Sequence, residues 1–151
     1  MIISFAGHSF VASKSQVLET VKTHIRDNVV DGESIFCYLG GYGDFDELCA
    51  RACRELKGEI PNIELVYVTP YLTLCKQENI KRMVKEGLYD ASIYPDIENT
   101  PPKFAISKRN EWMMASADLI IAYVKNSYGG AYKSLQVAKR RKKRIINICD
   151  L

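Results

Sequence analysis

Short apolar runs alternate with amphipathic stretches along the 151 residues of the chain. Ile2–Phe5 reads as a first strand running into Ala6, Gly7, His8 and Ser9. From Ser15 to Asn28, the apolar Val17, Leu18, Val21 and Ile25 recur at the spacing of one helix face. Ser34–Leu39 is a second strand, leading directly into Gly40, Gly41, Tyr42 and Gly43. Asp44, Phe45, Asp46 and Glu47 then have the form of a helix N-cap and capping box, with Leu48, Ala52 and Leu56 behind them. Ile63–Val68 is a third strand ending in Thr69, Pro70 and Tyr71. Asp90–Lys103 holds three of the five prolines and few periodic apolar positions, which predicts a long loop over one edge of a sheet. A helix over Ala105–Ala115, a strand over Leu119–Val124, the turn Tyr128, Gly129, Gly130, a helix over Ala131–Arg141 and a strand over Arg144–Ile148 complete the pattern.

Near-continuous apolar strands joined by helices are buried on both faces, which means a parallel sheet. With right-handed crossovers, the expectation is an α/β fold: one domain over residues 1–151, with a doubly wound sheet of about five parallel strands and helices on both faces. Such sheets bind ligands beyond the carboxyl ends of their strands, where strand order reverses. Three strands here end at that edge in turns containing Gly7, Gly40–Gly41–Gly43 and Gly129–Gly130.

Composition narrows the class further. Apolar residues at 47% and charged residues at 26% are ordinary globular values, against a disordered, collagen-like or disulfide-stapled chain. No apolar run approaches the roughly 18 to 20 residues of a membrane span, and the first residues lack the basic start of a signal peptide, so a cytoplasmic protein is expected. Five cysteines, an odd count, suit a reducing compartment. Cys37 and Cys149 fall in strand-like runs and Cys49 and Cys53 lie four apart on a helix, the pattern of small buried hydrophobes. No CxxC or Cys/His pair completes a metal-binding set of four. The net charge of +3 conceals an asymmetry: the run Lys139–Arg144 is six cations long, leaving −3 for the rest. At a helix C-terminus such a run is favoured by the dipole, on the edge opposite the glycine turns, and reads first as a solvated turn. A nucleic-acid-handling role is the alternative it offers.

A glycine turn between strand and helix lets backbone approach a ligand and presents free N–H groups at the positive end of the helix dipole, which suits phosphate. Asp44, Asp46 and Glu47 would repel phosphate from the second turn, but they can cap the helix or accept hydrogen bonds from ribose hydroxyls. The turn at Tyr128, Gly129, Gly130 and Ala131 has no acid nearby and is followed by Lys133 and Ser134, making it the better phosphate cradle. Arg109, beside Asn110 near the start of a helix, is placed to fork onto a phosphate over the sheet edge. His8 suits an acid, base or hydrogen-bond donor, and His24 a surface position. Tyr42, Tyr71, Tyr94 and Trp112 offer stacking surfaces, although aromatics in α/β proteins more often serve core or rim.

The segment Ser107, Lys108, Arg109, Asn110, Glu111, Trp112 through Asp118 and Tyr123, followed by Tyr128–Ala131, resembles the second half of the SLOG superfamily, named for Smf/DprA and the Lonely Guy enzymes. The turn Leu39–Asp46 resembles the "GG..G.D..A" turn of its small YpsA-like branch. The resemblance covers nearly the whole chain and implies a Rossmann-like sheet binding a nucleotide or nucleotide-derived molecule, with no cofactor, in a homodimer or higher assembly. In Lonely Guy enzymes this fold hydrolyses a nucleoside-monophosphate N-glycosidic bond; other branches bind DNA. Arg109 matches the Lonely Guy arginine, but the "PGGxGTxxE" loop is here Ser127–Leu135, without its proline or catalytic glutamate. Gly40–Glu47 has the "GGxGxxxE" spacing after a different strand, which makes Glu47, with Arg109, the candidate catalytic pair for a hydrolase or deoxyribosyltransferase-like alternative.

Overall fold

The computed structural model describes residues 1–150. The elements, in order, are β1 (Ile2–Gly7), α1 (Lys14–Asn28), β2 (Ile35–Leu39), α2 (Asp44–Leu56), β3 (Ile63–Val68), α3 (Leu74–Lys85), β4 (Ala91–Ile93), α4 (Ala105–Ser116), β5 (Leu119–Tyr123), α5 (Gly130–Arg140) and β6 (Arg144–Asn147). All strands pair in parallel, in the order β4-β3-β2-β1-β5-β6. The chain winds outward from β1 to β4, crosses back to pair β5 with the other side of β1, and continues to β6. The winding therefore reverses between β1 and β5.

The period of two along each strand sorts the core onto two faces. Ile3 and Phe5, Ile35, Cys37 and Leu39, Ile63, Leu65 and Tyr67, and Leu119 and Ile121 pack with Val17, Val21, Ile25, Leu48, Cys49, Cys53 and Ile80 from α1, α2 and α3. Ala6, Val68 and Ile120 instead meet Met113, Met114, Ala117 and Ala138, associated with α4 and α5. On this second face the buried Ser4 hydroxyl donates to the carbonyl of Met113 at 2.9 Å. Trp112 is stacked on Tyr38 with centroids 5.4 Å apart, so it belongs to the packing.

The doubly wound parallel α/β fold stands as the pattern implied, with differences of detail. The sheet has six strands, because Asp90–Lys103 is not loop throughout: Ala91–Ile93 pairs with Val66–Val68 as an outermost strand too short to show a period. Pro102–Phe104 is a turn of 3-10 helix. The pattern also passed over α3, whose one buried residue is Ile80, although its start is capped by Thr73 accepting from the Lys76 amide. Cys149 lies in a 3-10 turn at Ile148–Asp150, so the last strand stops at Asn147. Among the described residues, no helix is long and apolar enough to cross a membrane.

Gly7 shows how tightly β1 meets the helices. A Cβ there would sit 2.2 Å from the ring of Phe45, which is fully buried and stacked on Tyr123. Gly7→Ala is therefore expected to lower stability in urea by about 1–3 kcal/mol, the range of core overpacking. Gly130→Ala, where a new Cβ meets nothing within 4 Å, is expected to leave stability unchanged or raise it.

Candidate functional site

The reversal between β1 and β5 opens a crevice at the carboxyl edge of the sheet, as doubly wound sheets do. It holds a cavity of about 460 Å³ walled by the turns after β1, β2 and β5, by α4 and by the starts of α2 and α5. The cavity brings together Gly7, His8, Ser9, Gly40, Tyr42, Asp46, Arg109, Asn110, Tyr128, Gly129, Gly130 and Ala131. Gly41, Gly43, Asp44 and Glu47 are not among its walls.

The glycine cluster after β2 is occupied by the protein's own packing. A Cβ on Gly41 (φ 67°) would lie 2.3 Å from the ring of Tyr67, and one on Gly43 (φ 88°) would lie 2.7 Å from the Cα of Ser9. The expected capping box does not form: Gly43 is the N-cap of α2 and no side chain caps it. The Asp44 and Phe45 amides donate instead to the carbonyls of Ser9 at 2.9 Å and His8 at 3.4 Å. The Asp44 carboxylate accepts from the Val11 amide at 3.0 Å and lies 3.7 Å from Lys14, so it holds the loop after β1 and is not placed for a ribose. Glu47 is exposed on the first turn of α2, outside the cavity.

Arg109 is also placed differently from its expected reach over the edge. It is 3% exposed, and its Nη1 donates to the carbonyls of Gly40 at 3.1 Å and Val68 at 2.7 Å, closing the carboxyl ends of β2 and β3. Its Nε donates to Asn110 at 2.9 Å. The guanidinium fits because residue 40 has no side chain: a Cβ there would lie 3.1 Å from Arg109 and 3.2 Å from Asp46. Burial pulls the Arg109 pKa down while the nearby Asp46 carboxylate opposes the shift. Asp46 keeps part of its surface towards the cavity, yet loss of water pushes its pKa up to about 6, against the hydrogen bond from the Tyr42 amide and the attraction of Arg109.

His8 holds the opposite wall. Its Nε2 accepts from the amides of Lys125 at 3.0 Å and Asn126 at 3.4 Å, which requires the neutral ring with its proton on Nδ1. Burial and then Lys125 lower its pKa, which keeps it in that form. Asn147 fixes the same loop from β6, accepting from the Val124 amide at 3.1 Å and donating to its carbonyl at 2.9 Å. These two bonds let the chain leave β5 and open into Gly129 (φ 91°) and Gly130 with nothing near either Cβ position. Sequence reasoning missed Phe10, Lys125 and Asn126 on the walls; the lysine and asparagine directly after an apolar strand were the available signal.

The two helix starts at this edge are thus unequal. That of α2 is closed by loop carbonyls and carries three acids, while that of α5 has no capping side chain and no acid in its first turn. An anion entering the cavity at the start of α5 meets a helix dipole with no capping side chain and no acid in its first turn.

No family model and no curated protein matches the sequence. Among solved structures, the chain is similar to DNA processing protein A from Helicobacter pylori, described for its unique single-stranded DNA binding mode. The two share 14% identity at a TM-score of 0.62, over 96% of this chain and 63% of that one. At this identity the likeness bears on the fold. The chain spans less than two thirds of its neighbour's length.

The raised pKa of Asp46 gives the site a pH signature. A carboxyl that titrates at 3.8 when unfolded and about 6 when folded costs stability as pH rises through that window, by an amount on the order of 3 kcal/mol above it. Asp46→Asn removes this cost and can keep the acceptor for the Tyr42 amide. Its urea midpoint is expected to exceed wild type at pH 8, with the difference shrinking as pH falls through 6 towards 4; His8 is common to both proteins and cancels. An equal difference at both ends of the range would refute the assignment.

Proposed function

We propose that the chain is a SLOG-type module of the YpsA-like kind that binds single-stranded DNA. One nucleotide unit enters the cavity at the winding reversal, with its phosphate at the start of α5. The observation that carries this reading is the pairing of an uncapped, acid-free helix start with two unobstructed glycines on a cavity wall. Lys125 at the mouth adds positive charge, and Tyr42 and Tyr128, both 72% exposed on the walls, offer faces for a base. The fold likeness to a protein described as binding single-stranded DNA supports the choice of ligand. In this arrangement Arg109 supports the cavity from behind through its bonds to Gly40 and Val68, and its contact with phosphate is limited to what its remaining donors reach.

A free nucleotide is the second reading, favoured by a cavity volume of about 460 Å³, within the usual small-molecule range. Either ligand presents the same phosphate and sugar. Hydrolysis has less support, because Glu47 lies outside the cavity and no carboxylate follows Gly129–Gly130.

The deciding experiment titrates labelled oligothymidylate by anisotropy beside a nucleotide panel read by thermal shift and released base. Gly130→Asp places a carboxylate at the helix start without steric conflict and with a favourable dipole, so its melting temperature is expected to hold or rise. Its affinity for the strand is expected to fall about tenfold or more. Glu47→Gln is expected to bind as wild type. Unchanged affinity in Gly130→Asp overturns the reading, and nucleotide binding without oligonucleotide binding selects the second one.

A further inference from the structure

The basic run Lys139–Arg144 and the cavity lie at opposite edges of the sheet, because α5 runs from one to the other. A second cavity, of about 510 Å³, lies along that path between α4 and α5. It shares Ile106, Asn110, Gly130 and Ser134 with the first, so the two adjoin. Its lining includes the exposed Lys103, Lys133 and Arg140. Lys133 and Arg140 are seven residues apart, two turns and roughly 10 Å along one face of α5. The one carboxylate on the lining, Glu111, is paired with Lys108 at 3.3 Å. Among the described residues, no carboxylate pairs with Lys103, Lys133 or Arg140.

The charge distribution extends this line. Residues 119–149 carry eight lysines and arginines and no aspartate or glutamate, so the remainder of the chain is at net −5. The basic side chains run from Lys125 at the cavity mouth, through Lys133 and Arg140 in the cleft, to the turn at Lys139–Arg144. We infer that the α4–α5 cleft is the track along which a DNA single strand leaves the cavity towards the basic turn. This rests on the single-strand reading above and makes the cavity and the basic run two ends of one surface. The unpaired cations match a phosphate backbone, and Tyr132 on the lining gives a base an aromatic face. A second copy of the chain is the poorer occupant, since a two-fold contact would set this cationic helix against itself.

The test is a length series of oligothymidylates, from about 3 to about 15 nucleotides, measured against salt with wild type, Gly130→Asp and the double variant Lys103→Gln/Arg140→Gln, two cleft cations that lie outside the first cavity. The double variant is expected to bind the shortest strand and free nucleotide as wild type does. The longest strand should lose about tenfold in affinity, and the slope of log affinity against log salt should drop by about 1.4, at 0.7 for each phosphate contact. If the double variant matches wild type on long strands while Gly130→Asp weakens them, the track is wrong and the cavity reading stands. If Gly130→Asp also binds normally, both fall. Sedimentation showing a wild-type dimer that the double variant dissociates would assign the cleft to a second copy and overturn the track.

Discussion

A buried guanidinium holds the two halves of this fold in register. Arg109 lies on α4, the helix that makes the crossing back, and its Nη1 bonds to the carbonyls ending β2 and β3 on the first half of the sheet. A buried arginine is costly unless its donors are satisfied, and here two backbone carbonyls and Asn110 accept from it, while the Asp46 carboxylate nearby offsets its charge. Lysine has the charge but not the second donor, Nε, which holds Asn110 while Nη1 takes both carbonyls. The absence of a side chain at Gly40 follows from this contact, since any Cβ would press on both Arg109 and Asp46.

Closure of the β2–β3 side leaves the β1–β5 side as the open part of the edge. There the loops are held apart by bonds that end in small polar side chains: His8 takes two amides of the β5 loop, and Asn147 extends the β5–β6 ladder by one residue. The chain thus builds the start of α2, after β2, into its own packing and leaves the start of α5, after β5 at the reversal, uncapped. The difference lies in which amides already have partners.

The sheet, its parallel sense and the edge that holds the cavity were legible because they depend on strand period and connection handedness, which are local or nearly so. The role of each glycine was not. Gly41 and Gly43 look like ligand glycines in sequence, and only the positions of Tyr67 and Ser9 show that their missing side chains make room for protein. Arg109 was found by its type, but its partners come from residues 41 and 69 positions away in the chain, which no spacing rule supplies. The strand Ala91–Ile93 has too few residues for a period, and α3 buries one side chain, so neither announces itself. Asp46 was grouped with two neighbouring acids; burial beside Arg109 sets it apart.

The outermost strands bear on how the molecule survives at high concentration. The central run Leu119–Tyr123, apolar and free of charge, is the sort of segment that nucleates cross-β assembly when another chain can reach it. It is enclosed between β1 and β6. The two strands left bordering solvent are three and four residues long; one is followed closely by Pro95, and the other begins at Arg144 in the densest positive charge of the chain. Short, proline-bounded or charged borders give an incoming strand little to pair with, so the basic turn also guards the sheet against aggregation.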